Sequence, residues 1–189
     1  MYMADAAWKK RLISQSDLLA LHEKLRETGK KTVFTAGSWD LIHAGQCRYL
    51  ERAKQYGDVL VVGVSSNDAI RRVKGPNKPI LDEKIRAEML TFLKSVDYVT
   101  ILPEPSCVPT LGLLRPDIYV TVKEDWTSEY KNSKEYKTVT KYGGEVMVVD
   151  RQSTSVSTTQ ILQRAIGGAL SDTLKDFMQY RKDPIKEKK

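Results

Sequence analysis

Residues 31–46 read KTVFTAGSWDLIHAGQ, and the following residues 47–53 have helical character. Residues 31–34 form a short apolar run that predicts a β-strand, and Gly37 lets the chain leave that strand sharply. A strand that breaks at a glycine and re-enters a helix directs backbone N–H groups at one point, where the helix dipole favours an anion. His43 stands at the opening turn and Gln46 three residues later, which adds two side-chain donors. The stretch therefore predicts a site that reads nucleotide phosphates.

Four more apolar runs follow, at residues 58–65, 96–102, 117–122 and 145–149. They are short, β-branched and nearly continuous, which is typical of strands buried on both faces. Helix-like segments alternate with them, at residues 43–56, 82–95, 107–114 and 128–142. This alternation predicts an α/β protein with one doubly wound, Rossmann-like domain, in which helices cover both faces of a five-stranded parallel sheet. Ligands of such sheets bind at the carboxyl ends of the strands near a switch point, where the first loop lies.

The chain divides into three predicted regions. Residues 1–30 form an N-terminal helical extension, in which residues 16–25 have helical periodicity and the helix stops at Gly29. Residues 31–170 form the domain that carries the phosphate site. Residues 171–189 comprise the end of a last helix, predicted over 157–180, and a basic tail. No internal repeat and no second domain are evident.

Composition narrows the class of protein. The chain has 189 residues, 41% of them hydrophobic, and 31 Lys and Arg against 24 Asp and Glu, a formal charge of +7. Part of this excess lies in the tail, so the charge suits polyphosphate substrates and does not by itself indicate nucleic-acid binding. Cys47 and Cys107 form neither a metal motif nor a disulfide framework. With no apolar leader and no membrane-length run, these features predict a cytoplasmic protein that does not enter a membrane.

Two motifs carry a resemblance to a known family. Residues 37–46, GSWDLIHAGQ, resemble the G-x-F-D-x-x-H-x-G-H signature of the cytidylyltransferase-like nucleotidyltransferases. Residues 157–162, STTQIL, resemble that family's second signature at the start of a late helix. Four shorter stretches look most like the adenylyltransferase domain of the bacterial ADP-heptose synthesis enzymes; they are residues 50–54, 57–58, 73–76 and 142–146. Glycerol-phosphate cytidylyltransferases are the next most similar group.

The resemblance implies a reaction and a set of site residues. Members of the family join a nucleoside triphosphate to a small phosphorylated acceptor and release pyrophosphate, with Mg²⁺ accompanying the triphosphate and no metal site built from protein residues. The implied catalytic residues are His43, Gln46, Lys74 and Thr158. The implied nucleotide-binding residues are Thr35, Ala36, Gly37, Trp39, Asp40, Gly45, Arg86, Ser157 and Thr159. Arg86 falls on the helix where the family often keeps an arginine near the acceptor. Homodimers are common among such proteins.

This chain departs from the family pattern at three places. Gln46 stands where the family has its second histidine, and glutamine can donate a hydrogen bond but cannot become a cation. Residues 120–126, VTVKEDW, are one residue longer than the corresponding heptose-type segment and lack its glycines. Arg151 lies six residues before Ser157, one further than in the cytidylyltransferases. These departures bear more on the identity of the acceptor than on the class of reaction.

The sequence leaves several functions open. The favoured one is transfer of an adenylyl group from ATP to a sugar phosphate similar to heptose 1-phosphate. Within the same enzyme class, the alternatives are cytidylyl transfer from CTP to glycerol 3-phosphate or a related alcohol phosphate, and adenylyl transfer to flavin mononucleotide. From another class, Gln46 favours a protein that binds nucleotide with reduced or no turnover. The base of the nucleotide and the acceptor are not readable from these residues.

Overall fold

A five-stranded parallel sheet organises the chain. The computed structural model describes residues 7–123, 129–150 and 157–182. The strands are β1 (Thr32–Gly37), β2 (Val59–Ser65), β3 (Tyr98–Leu102), β4 (Ile118–Val122) and β5 (Glu145–Val149), in the spatial order β3-β2-β1-β4-β5. All four strand pairings are parallel. The predicted α/β fold is confirmed, and each predicted strand is present with its boundary shifted by at most three residues.

Seven α-helices connect and flank the strands within the described ranges. They are α1 (Leu18–Glu27), α2 (Ala44–Lys54), α3 (Asn67–Lys74), α4 (Glu83–Thr91), α5 (Val108–Leu114), α6 (Lys134–Lys141) and α7 (Thr158–Lys182). Helix α3 was not among the predicted helices. It is only eight residues long and buries Ala69 and Ile70, so it is shorter than the window of about 11–18 residues over which apolar periodicity identifies a helix. The hydroxyl of Ser66 caps it by accepting a hydrogen bond from the Ala69 N–H.

The side chains of β1 alternate between two apolar cores. Val33 points into the core that contains Leu50 of α2 and Leu90 of α4. Phe34, the next residue, points into the core that contains leucines of α1 and α5 and Val139 of α6. Since successive strand residues face opposite sides, β1 separates two helical layers. The predicted helices on both faces are confirmed.

The segment before β1 packs against the outer edge of the sheet. Leu12 forms an isolated bridge with Val99 of β3, and the Arg11 guanidinium donates to the Thr91 carbonyl at 2.8 Å. Helix α1 then buries three leucines in the second core. The boundary at residue 30 stays a prediction, and the basic tail of residues 183–189 lies outside the described residues. No α-helix in the described part of the chain has the length and hydropathy needed to cross a membrane.

The strand order creates a switch point beside β1. The chain runs outward from β1 through β2 to β3 and then returns to place β4 on the other side of β1. The loops that follow β1 and β4 therefore depart from adjacent strand ends, which opens a crevice at the carboxyl edge. The first loop of the sequence motif lies at this edge.

Candidate active site

A cavity of about 350 Å³ opens at the carboxyl edge of the sheet. Eleven of the thirteen residues predicted for the site line it: Ala36, Gly37, Trp39, Asp40, His43, Gly45, Gln46, Lys74, Ser157, Thr158 and Thr159. Sequence reasoning did not identify six further lining residues: Ser38, Tyr49, Ile70, Lys78, Thr121 and Val122. The two helix beginnings, 114 residues apart in the chain, thus border one cavity.

A direct hydrogen bond joins the two helix beginnings. The Thr158 hydroxyl, at the first residue of α7, donates to the Asp40 carbonyl at 2.7 Å. The first amides of any α-helix have no partner within the helix, so the starts of α2 and α7 both offer backbone N–H groups to this cavity. Their dipoles add positive potential at the same place. This arrangement suits a ligand with several negative groups, such as a polyphosphate.

His43 is the N-cap residue of α2, with an extended backbone conformation. Gln46 lies one turn later, and its side-chain carbonyl oxygen accepts the His43 backbone N–H at 3.2 Å. This is the geometry of a capping box, in which the third helical residue satisfies the amide of the cap. Gln46 also lines the cavity, and its NH₂ group is a neutral donor.

The loop between β1 and α2 has a constrained backbone. Trp39 and Leu41 have φ angles of 52° and 47°, which side-chain-bearing residues adopt only when their surroundings require it. The Trp39 indole N–H donates to the Gly63 carbonyl at 2.9 Å, and the ring lies over Gly37. A Cβ atom at Gly37 would lie 3.0 Å from that ring, closer than an ordinary contact, so any other residue there would have to displace the indole.

The Asp40 carboxylate holds this loop to the segment before α4. Its two oxygens accept the backbone N–H groups of Ile80 at 2.8 Å and Leu81 at 3.0 Å, and the side chain is buried. Charge-assisted hydrogen bonds of this kind are stronger than neutral ones. Asp40 therefore shapes the cavity through its carboxylate and connects the loop to α7 through its carbonyl.

Arg86 is buried behind the loop and does not line the cavity. Its guanidinium donates to the Ser38 carbonyl, to the Leu81 carbonyl at 2.9 Å and to the Asn67 side-chain oxygen at 2.9 Å. Desolvation lowers the pKa of Arg86 from its ordinary value, and the nearby Asp40 carboxylate opposes this shift. These contacts describe a positioning residue that ties β1, α3 and α4 together.

Thr35 also lies outside the cavity lining and is fully buried. The Tyr49 hydroxyl donates to the Val120 carbonyl at 3.1 Å and lies 2.7 Å from the Thr35 hydroxyl. This pair links β1, α2 and β4 beneath the cavity. A direct contact of Thr35 or Arg86 with nucleotide stays a prediction.

Two lysines line the cavity from the segment around the end of α3. The Lys74 ammonium donates to the Ser38 hydroxyl at 2.9 Å, which brings this cation to the first loop. Lys78, four residues later, was missed, although a second lysine in the motif KGPNKP was a visible signal. Arg151 and residues 124–126, where the sequence departs from the family pattern, lie outside the described residues.

Comparison with known proteins identifies the family. A sequence profile of the cytidylyltransferase-like family matches residues 34–164, which contain most of β1 and the starts of both α2 and α7. The chain belongs to this family. The resemblance carried by the two motifs is confirmed, and the cavity lies where both motifs meet.

Individual relatives agree with this assignment. The chain is 40% identical over 141 residues to the bifunctional protein HldE of Syntrophotalea carbinolica, covering 75% of this chain and 28% of that protein. It is 40% identical over 153 residues to HldE of Geobacter metallireducens, covering 79% and 30%. Among solved structures, a lipopolysaccharide core biosynthesis protein from Thermoplasma volcanium matches with 28% identity and a TM-score of 0.54, covering 65% of this chain and 97% of that one. The chain spans less than a third of the length of these HldE relatives.

Proposed function

We propose that this chain transfers an adenylyl group from ATP to a sugar phosphate and releases pyrophosphate. The observation that carries the proposal is the hydrogen bond from Thr158 to Asp40, because it brings two amide-rich helix beginnings to one cavity. The membership of this chain in the cytidylyltransferase-like family and its similarity to the HldE proteins also support the proposal.

The reaction needs one bond to form and one to break. An oxygen of the acceptor phosphate attacks the α-phosphorus of ATP, and the bond from that phosphorus to the pyrophosphate oxygen breaks on the opposite side. The acceptor phosphate is already ionised at neutral pH, so the protein supplies alignment and charge stabilisation. His43 stabilises the charge that develops on the leaving pyrophosphate. Lys74 and Lys78, which also line the cavity, neutralise the phosphates.

Magnesium would accompany the triphosphate. The described residues contain no group of three His, Cys, Asp or Glu side chains placed to hold a metal ion. The carboxylate within the first motif, that of Asp40, already accepts two backbone N–H groups. The residues present therefore fit an ion that is held by phosphate oxygens and water, which Mg²⁺ favours.

A panel of substrates tests the proposal. The protein is incubated with Mg²⁺ and each of the four nucleoside triphosphates, paired with heptose 1-phosphate, glycerol 3-phosphate or flavin mononucleotide, while pyrophosphate release is followed. We expect release with ATP and the sugar phosphate. Pyrophosphate release only with CTP and glycerol 3-phosphate would establish the cytidylyltransferase alternative. Release only with ATP and flavin mononucleotide would establish adenylyl transfer to flavin mononucleotide.

Gln46→His is expected to raise kcat about tenfold, because a cationic donor stabilises developing charge better than a neutral amide. The variant is compared with wild type at saturating ATP and acceptor. Gln46→Leu, which keeps the size but removes both the NH₂ donor and the oxygen that caps α2, is the comparison variant and should lower kcat. An unchanged kcat in both variants would show that the Gln46 side chain contributes nothing to turnover.

Gln46 also supports a second candidate, a protein that binds nucleotide without turning it over. It keeps the capping geometry of α2 and provides a neutral donor where the family has a histidine. ATP binding by calorimetry, with no pyrophosphate from any acceptor, would favour this candidate. A homodimer and a cytoplasmic location remain predictions, which gel filtration with light scattering and cell fractionation address.

A further inference from the structure

Helix α7 continues well past the domain that it completes. It runs from Thr158 to Lys182, and the Thr158 hydroxyl fixes its first residue to the loop after β1. Every residue from 163 to 175 is exposed, on all sides of the helix. The region that the family profile matches ends at residue 164. The greater part of α7 therefore extends beyond the body of the domain.

A helix exposed on all sides has little to stabilise it. Most helical stability in proteins comes from packing an apolar face, because short helices in water are marginal by themselves. Gly167 and Gly168 lie within α7, and among the residues other than proline glycine is the poorest helix former. A Cβ atom on either glycine would meet nothing within 4 Å among the described residues outside its own turns of helix, so close packing within the chain does not explain them. This segment therefore needs a partner surface.

The exposed part of α7 carries an apolar stripe. Ile166, Leu170 and Leu174 follow one another at intervals of four residues, which places them on one side of the helix. They are 58%, 58% and 60% exposed, respectively. Asp172 and Lys175 pair with each other at 3.5 Å and lie on the opposite side. A helix with this division of residues buries its apolar side against another element.

The geometry of the stripe fits an identical helix. Residues at intervals of four form a ridge on the helix surface, and the commonest pairing of two helices interdigitates such ridges from both. A two-fold contact brings the same patch of two copies together, so a self-complementary row of aliphatic side chains satisfies it. The stripe itself carries no charge, and pairing it with its copy therefore buries none.

The size of the stripe also fits a second copy. Three aliphatic side chains that are each more than half exposed present roughly 300 Å² of apolar surface, a size typical of functional patches on monomers. Two copies would cover about 600 Å² in this way, and apolar atoms make up about 60% of a typical interface. The total comes to about 1,000 Å², the lower limit for a specific interface between proteins.

We infer that α7 docks on α7 of a second copy through Ile166, Leu170 and Leu174, which makes the chain a two-fold symmetric dimer. Leu170 is the middle residue of the stripe, so it meets the partner's Leu170 whether the two helices run parallel or antiparallel. None of the three residues lines the active-site cavity. The dimer therefore does not depend on the proposed reaction.

Sedimentation equilibrium of the full chain tests the inference without substrates. We expect wild type to dimerise, and Leu170→Glu to raise the dissociation constant of the dimer by at least about 100-fold, because two carboxylates would face each other in a desolvated contact. Leu19→Glu is the matched control, since Leu19 lies on α1, is 49% exposed and receives the same change away from α7. Its dissociation constant should stay within about twofold of that of wild type.

A mixture of two variants makes the test specific to residue 170. Leu170→Lys alone should dimerise as weakly as Leu170→Glu, whereas an equimolar mixture of the two should form a dimer, since opposite charges then meet across the contact. Circular dichroism checks that each variant is folded, and Ile166→Glu replaces Leu170→Glu if that variant is not.

Each outcome decides the inference. A wild-type chain that stays monomeric would overturn it and leave the stripe to a different protein. A dimer that survives Leu170→Glu would place the contact elsewhere on the surface. A mixture that stays monomeric would show that residue 170 does not meet its counterpart, which also contradicts the two-fold contact.

Discussion

Replacing His43 by asparagine is expected to lower kcat for pyrophosphate release by on the order of 10²–10³-fold, the usual cost of removing one donor from a site of developing charge. Asparagine is a good N-cap residue, so the start of α2 is retained while the imidazole is lost. The effect should fall on kcat more than on KM for ATP, because the charge to be stabilised is largest in the transition state.

The chain provides its own control for this experiment. It contains two histidines, and the other, His22, lies on α1 away from the cavity. His22→Asn should leave kcat within about twofold of wild type, since surface-layer changes distant from a site have small effects. If His43→Asn retained half or more of the wild-type kcat while remaining folded, the catalytic role assigned to His43 would be wrong.

Replacing Arg86 by methionine is expected to lower the free energy of unfolding by about 3 kcal/mol, because three oxygen acceptors lose a charged donor in a buried place. Arg86→Lys should recover only part of this loss, since a lysine cannot reach three acceptors in the planar geometry of a guanidinium. Urea denaturation followed by circular dichroism measures both variants. Since the Ser38 carbonyl is one of the acceptors, KM for ATP and for the acceptor should both rise.

Arg71 supplies the matched comparison for Arg86. Its guanidinium is exposed and pairs with Asp68 at 3.0 Å on the surface of α3. Exposed ion pairs contribute little, so Arg71→Met should change the free energy of unfolding by less than about 0.5 kcal/mol. A stable Arg86→Met protein with an increased KM for the acceptor alone would instead indicate that Arg86 contacts the acceptor directly.

Arg86 illustrates a limit of reading a site from sequence. The family resemblance implied that Arg86 binds the nucleotide from a helix near the acceptor, but the direction of its side chain depends on how α4 packs. Helix α4 buries Arg86 together with Ala87 and Leu90, so the guanidinium reaches the loop from behind. A helix can turn any residue inward or outward, and short polar helices carry weak periodic signals about which occurs.

The sequence by itself determined the five strand segments, the helical segments except α3, the family and most residues of the first cavity, because buried parallel strands and phosphate-binding turns leave local patterns of residues. Only the tertiary structure decided that Thr158 meets Asp40 and that the Arg86 guanidinium reaches the Ser38 carbonyl from behind the loop. These residues are distant along the chain. Their encounter depends on strand order and helix packing, which bring together groups that no local pattern relates.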